Sequence, residues 1–93
     1  MEITDVKIRK LIPEGRLKAI VSVTFDNMLA VHDIKIVQGE ERLFVAMPSR
    51  KDETGTFRDI VHPVIAESRK KLEDSVLSAY ALKSTSFPQG TEQ

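Results

Sequence analysis

Residues 44–63 read FVAMPSRKDETGTFRDIVHP, and this stretch decides the fold. Leu43-Phe44-Val45-Ala46-Met47 has the pattern of a β-strand, which Pro48 closes because proline fixes φ and carries no amide hydrogen for a sheet ladder. The polar run Ser49-Arg50-Lys51-Asp52-Glu53-Thr54-Gly55-Thr56 then reads as a long hairpin loop with basic residues at its base. Within that run Gly55 is the residue that takes positive φ freely. Phe57-Arg58-Asp59-Ile60-Val61 returns as a short strand to His62-Pro63, where a proline at the first helical position predicts the start of a helix. Strand, hairpin and helix start thus follow one another without a linker.

Upstream of this stretch the pattern is that of strands. Val6 and Ile8 alternate with Lys7 and Arg9 before the turn Pro13-Glu14-Gly15. Leu17, Ala19, Val21, Val23 and Phe25 share one face of a second strand, with Lys18, Ser22, Thr24 and the exception Ile20 on the other. Asp26-Asn27 signals a turn. In the third strand Met28, Ala30, His32, Ile34 and Ile36 are expected on one face, with Leu29, Val31 and Val37 opposite. A strand apolar on both faces in its first half implies a covering for the second face as well. Gln38-Gly39-Glu40-Glu41 makes the next turn, and Leu43, Val45 and Met47 point inward on the fourth strand. The fifth strand, with Arg58 in its middle, suits a sheet edge.

Downstream, a helix is predicted over residues 63–83, with Ile65, Leu72, Val76, Ala79 and Tyr80 as its apolar stripe. The pairs Glu67 with Lys71, Arg69 with Glu73 and Lys70 with Asp74 have ion-pair spacing on its surface. Residues 84–93, with Phe87-Pro88-Gln89-Gly90, read as a frayed tail. The expected fold is therefore α+β: one domain over residues 1–83, an antiparallel meander of about five strands with one long C-terminal helix packed on a sheet face.

A chain of 93 residues makes one small domain that gains much from a partner chain, so a homodimer is expected. The absence of cysteine excludes a disulfide framework and a thiolate metal site, and suits a reducing cytosol. The first residues lack the basic and apolar runs of a signal peptide, and no segment approaches membrane-spanning length. These features imply a cytoplasmic protein that does not engage a membrane. Fourteen basic and fourteen acidic residues cancel, so attraction to a polyanion requires a local patch.

Arg50, Lys51, Arg58, Arg69, Lys70 and Lys71 supply such a patch within one contiguous segment. The competing reading is a self-neutralised surface, because Asp52, Glu53, Glu67, Glu73 and Asp74 are interleaved with them. On a helix turning roughly 100° per residue, Arg69 flanks the apolar stripe, Lys70 lies beyond it and Lys71 turns toward the other side, where Glu67 is its expected partner. Contacts from Lys and Arg to phosphate give salt-dependent affinity, whereas base reading needs bidentate groups set in a groove. The sequence offers the first and little of the second.

Catalytic, cofactor and metal sites are not expected. His32 among apolar neighbours reads as a neutral core histidine, and two histidines far apart without cysteine make a poor metal site. Asp59, His62 and Ser49 form a hydrolytic triad only on paper, with no nucleophile elbow or oxyanion-hole motif, and Asp59 or Ser49 is better suited to pinning the loop. Scattered turn glycines make no phosphate-binding loop, so no small-molecule substrate is implied.

The run Pro48-Ser49-Arg50-Lys51, followed by Gly55-Thr56-Phe57-Arg58-Asp59-Ile60 and His62-Pro63, resembles the signature of the bacterial stage V sporulation protein G (SpoVG) family of septation proteins. Ile3-Thr4-Asp5-Val6, Lys18-Ala19 and Phe25-Asp26 resemble that family's opening, so the likeness extends to about Lys83. The resemblance implies a small α+β homodimer in the cytoplasm. It implies a non-enzymatic regulator linked to septum formation, sporulation and, in non-sporulating relatives, capsule or virulence gene expression. It further implies binding of DNA, and in some cases RNA, through Arg50, Lys51, Arg69, Lys70 and Lys71; Arg58 is added from the geometry of the segment. The alternative is a protein-interaction module that acts on septation without touching nucleic acid.

Overall fold

The computed structural model describes the backbone of residues 1–86 and the side chains of residues 1–83. Four strands, β1 (Ile3–Leu11), β2 (Leu17–Phe25), β3 (Leu29–Gln38) and β4 (Leu43–Ala46), form an antiparallel sheet in sequence order. Two shorter strands, β5 (Ser49–Lys51) and β6 (Phe57–Asp59), pair only with each other, and helix α1 (Ala66–Ser86) follows. The chain is therefore α+β. The strand after the polar run does not add to the meander as a fifth member. Pro48 interrupts the ladder after β4, and the chain leaves the sheet to build a separate hairpin.

Turn chemistry explains the connections. Asp26 and Asn27 both take positive φ (52° and 56°), and Met28 N–H donates to the Phe25 carbonyl at 2.9 Å. Positive φ at both central residues gives this tight turn a twist that suits its flanking strands, and pairing resumes at Phe25 and Leu29 with Met28 left over as a third loop residue. At the β3–β4 turn Gly39 N–H donates to the Arg42 carbonyl at 2.8 Å. A Cβ on Gly39 would sit 2.9 Å from that same oxygen, so only glycine fits.

The core lies between one sheet face and α1. Ala19, Val21, Val23, Ile34, Ile36, Val45 and Met47 are buried against Leu72 and Val76, with Val6, Ile8, Leu11, Val31 and Tyr80 packed around them. The register shows why these residues share a face. Across the strands run the rows Leu11–Ala19–Ile36–Val45, Ile8–Val21–Ile34 and Val6–Val23–Val31.

Two expectations about faces are corrected by this register. In β3 an extra residue is accommodated between Val31 and Ile34, and Asp33 there takes φ 65°. Such a bulge moves the preceding residues to the other face, so Val31 rather than His32 packs on the core. His32 is exposed, and the hydroxyl of Ser22 lies 2.8 Å from its Nδ1. A second irregularity pairs Leu17 with Val37 beside the core row, which takes Leu17 off the face that holds Ala19, Val21 and Val23.

The helix also differs in extent. It begins at Ala66 rather than Pro63, with Arg69 N–H donating to the Ile65 carbonyl at 3.1 Å, and residues 60–65 form a bent connection. At its other end α1 continues through Ser86, past the expected limit at Lys83. Residues 87–93 of the expected tail lie outside the described residues.

Candidate nucleic-acid interface

The β5–β6 hairpin stands apart from the core, and all six of its strand residues are exposed. Its tip is tightly built. Asp52 N–H donates to the Thr56 carbonyl at 2.9 Å, Gly55 N–H to the Asp52 carbonyl at 3.1 Å, and Gly55 takes φ 87°. This is a three-residue hairpin loop with glycine at its left-handed position. The expected long loop is thereby reduced to a short one, because Ser49-Arg50-Lys51 is itself a strand.

Asp52 organises this tip. Its Oδ1 accepts from Thr54 N–H (2.9 Å), the Thr54 hydroxyl (2.7 Å) and Thr56 N–H (3.0 Å), while its Oδ2 accepts from Arg58 Nε at 2.7 Å. The Arg58 guanidinium first, then the Thr54 and Thr56 donors, hold this carboxyl well below the ordinary aspartate range. Pinning of the loop thus falls to Asp52, where Asp59 or Ser49 was expected. The signal was present in the Asp-x-Thr-x-Thr spacing of residues 52–56, which suits an aspartate that bonds the backbone just after it.

The register sets the basic groups. Arg50 lies directly opposite Arg58, Lys51 opposite Phe57 and Ser49 opposite Asp59. Arg50 and Arg58 therefore share one face of the hairpin, while Lys51 takes the other and places its Nζ 5.4 Å from the centre of the Phe57 ring. Arg58 is paired with Asp52, and Arg50 forms no ion pair among the described residues. Residues 50–53 and 58–60 line an open depression of about 450 Å³.

The helix residues diverge as their spacing predicts. Arg69 is half-buried on the flank of the packed stripe, Lys70 is paired with Asp74 at 3.2 Å, and Lys71 is exposed. Of the three expected surface pairs only Lys70 with Asp74 forms, and Lys71 does not reach Glu67. Helix α1 packs on β1, β4 and β2, whereas the hairpin strands pack chiefly on each other. The structure brings together Arg50, Lys51 and Arg58 on the hairpin, and leaves Arg69, Lys70 and Lys71 on a separate element.

The paper triad does not assemble. Ser49 faces Asp59, but His62 Nδ1 is engaged with the Pro63 carbonyl at 3.0 Å. Among the described residues no cluster of three or more His, Asp or Glu side chains is arranged to hold a metal ion, and no helix is long and apolar enough to cross a membrane.

Comparison with known proteins gives a consistent result. The SpoVG family model matches residues 1–82. A relative from Clostridium botulinum (strain Alaska E43 / Type E3) is 60% identical over 81 residues, covering 87% of this chain and 89% of the relative. One from Clostridioides difficile (strain 630) is 61% identical over 80 residues, covering 86% and 87%. One from Exiguobacterium sibiricum is 53% identical over 83 residues, covering 89% and 81%. All three carry the name "Putative septation protein SpoVG".

Proposed function

We propose that this chain, which belongs to the SpoVG family, is a non-enzymatic cytoplasmic regulator of septation or sporulation and gene expression that binds DNA, with RNA as a second class of partner, through its basic hairpin and helix flank. The names of its relatives support the cellular process. The observation that carries the molecular part is the hairpin itself. It projects Arg50 and Lys51, which have no carboxylate partner among the described residues, on a scaffold fixed at its tip by Asp52. A rigid, exposed pair of cations suits a phosphate path, because each phosphate neutralised releases counterions.

One protomer supplies few such contacts, so the regulator works as a homodimer that presents two hairpins. Each contact to duplex DNA adds roughly 0.9 to the slope of log affinity against log salt. The test is a titration of labelled duplex at several salt concentrations, with wild type and with Arg50, Lys51, Arg69 and Lys71 replaced by alanine. A loss of affinity with a shallower slope supports the reading, and unchanged binding with an unchanged slope overturns it.

A second reading has its own observation. Phe57, Ile60, Val64 and Ile65 are 67%, 64%, 88% and 58% exposed, a run of apolar surface between hairpin and helix. Large exposed apolar side chains in succession suit a protein partner. Recovery of a division or regulatory protein after nuclease treatment, by a protein that does not bind nucleic acid, would favour that interaction module over the nucleic-acid regulator.

A further inference from the structure

Helix α1 covers one face of the four-stranded sheet, and among the described residues no element covers the other. The register defines what that open face carries. One row is Lys10–Ile20–Lys35–Ala46, a second sets Lys7 beside Ser22, and a third is Leu17–Val37–Phe44. A fourth row sets Asp5 beside Thr24, and Asp5 is the one carboxylate among the four rows. Among the described residues Lys7, Lys10 and Lys35 form no ion pair, so the described part of the face does not cancel their charge.

Two details show that the face is organised. Ser22 is only 5% exposed although it lies on the uncovered side, because Arg9 and His32 reach across it. Arg9 Nε donates to the Ser22 hydroxyl at 3.1 Å, and the same hydroxyl lies 2.8 Å from His32 Nδ1, so Arg9, Ser22 and His32 form one chain of contacts across β1, β2 and β3. At the other end Phe44 stays 37% exposed, with one edge of its ring against Gly39.

We infer that this open face is a binding platform for single-stranded nucleic acid, distinct from the hairpin. The inference extends the proposed nucleic-acid reading to a substrate class and a second surface. With strands about 4.8 Å apart and a rise of roughly 3.3 Å per residue, Lys7, Lys10 and Lys35 stand about 10 Å from one to the next along an L-shaped path. Such spacing follows a flexible backbone, while Phe44 and the apolar patch of Ile20, Leu17 and Val37 offer a stacking surface for bases. A duplex cannot use that surface, because its bases are already stacked. A second copy of this chain is disfavoured as occupant, since pairing two such faces would bring two positively charged surfaces together.

The test compares wild type, a variant with Lys7→Gln, Lys10→Gln and Lys35→Gln, a Phe44→Ala variant, and a hairpin variant with Arg50→Ala and Lys51→Ala. The probes are short labelled oligouridylate and duplex DNA, read by fluorescence anisotropy over a range of salt. Circular dichroism and thermal melting confirm that each variant is folded. The triple variant is expected to lose at least tenfold in affinity for oligouridylate and about 2 in salt slope, at roughly 0.7 per contact on a single strand. Its binding to duplex is expected to hold. Photocrosslinking of 4-thiouridine to the peptide that contains Phe44 provides a readout independent of variant stability.

Oligouridylate binding that survives the triple substitution, or a crosslink confined to the hairpin, overturns the inference while leaving the hairpin reading intact. Oligouridylate binding lost in the triple variant, with no duplex binding by wild type, supports the platform and overturns the hairpin reading. Absence of binding to either probe, or capture by phosphatidylglycerol vesicles alone, overturns the platform.

Discussion

Arg50 faces Arg58 across the β5–β6 hairpin, and among the described residues only Arg58 of the two has a carboxylate partner, Asp52, at 2.7 Å. Two like charges in register repel unless one is neutralised, and here one is. The sequence presents the two arginines as equivalent members of a basic run, whereas the structure divides their work. Arg58 holds the hairpin together, and Arg50 is left to meet a partner.

Single substitutions separate these roles. Arg50→Ala is expected to leave the fold and melting temperature unchanged and to reduce the salt slope of duplex binding by about 0.9 per protomer engaged. Arg58→Ala is expected to raise amide exchange across residues 50–57 before it alters the slope. Hydrogen exchange by NMR alongside a salt titration distinguishes the two, and identical behaviour of both variants would contradict the division.

Asp52 makes the hairpin pH-sensitive in a defined direction. Its carboxyl is held below its unfolded value of about 3.9 by Arg58, Thr54 and Thr56, so its stabilisation is fully present above that value. It is lost as pH falls through the depressed folded value. The amide resonances of Thr54 and Thr56 are expected to stay unperturbed through the ordinary aspartate range and to move only at more acid pH. In Asp52→Ala those amides lose their acceptor, and their exchange is expected to be fast even at neutral pH.

Much of this architecture is legible in the chain. The alternation in residues 17–25, the Asp26-Asn27 turn and the Leu72–Val76 stripe specify the sheet, its second hairpin and the helix that covers it. The bulge at Asp33 was hidden because period-two reading assumes an unbroken ladder, and one inserted residue exchanges the two faces before it. The helix start was misplaced for a related reason. Pro63 permits a first helical turn, but the residues before Ala66 extend the bend that leaves the hairpin, with Ile60 N–H donating to the Pro48 carbonyl at 2.8 Å. At the candidate site the residue types reveal the cations, but it is the fold of the hairpin that decides which of them owns a carboxylate.

Asp33 offers a direct test of that bulge. Its φ of 65° is tolerated by aspartate, asparagine and glycine but costs a β-branched residue roughly 1–2 kcal/mol. Asp33→Gly is expected to be neutral or slightly stabilising, and Asp33→Val to lower the urea midpoint with an unchanged m-value. Equal stability of the two variants would argue against the left-handed conformation.

Core packing sets the scale of a global effect. Ile34 is fully buried between Val21 and the helix stripe, so Ile34→Ala removes apolar contact and leaves a cavity. A loss of about 2–5 kcal/mol is expected from chemical denaturation. A small loss would mean that the helix closes down on the sheet as the side chain shrinks.

The proposed homodimer makes its own demand on the surface. Val64 is 88% exposed and Ile65 58%, next to Ile60 and Phe57, and a small domain gains little from leaving such side chains in water. If this strip is where two copies meet, Val64→Glu and Ile60→Glu place unpaired charges in the interface without touching the core. Light scattering after size exclusion is expected to give a dimer for wild type and a monomer for the double variant. Thermal melting is expected to depend on protein concentration only in wild type, because association stabilises the folded state by mass action. A monomeric wild type would mean that each hairpin acts alone, and the duplex salt slope would then fall to what Arg50, Lys51 and the helix flank of one protomer can supply. A double variant that remains dimeric would move the interface elsewhere, and the exposed edge of β1 is the next surface to test, since the β1 backbone pairs with β2 on one side only.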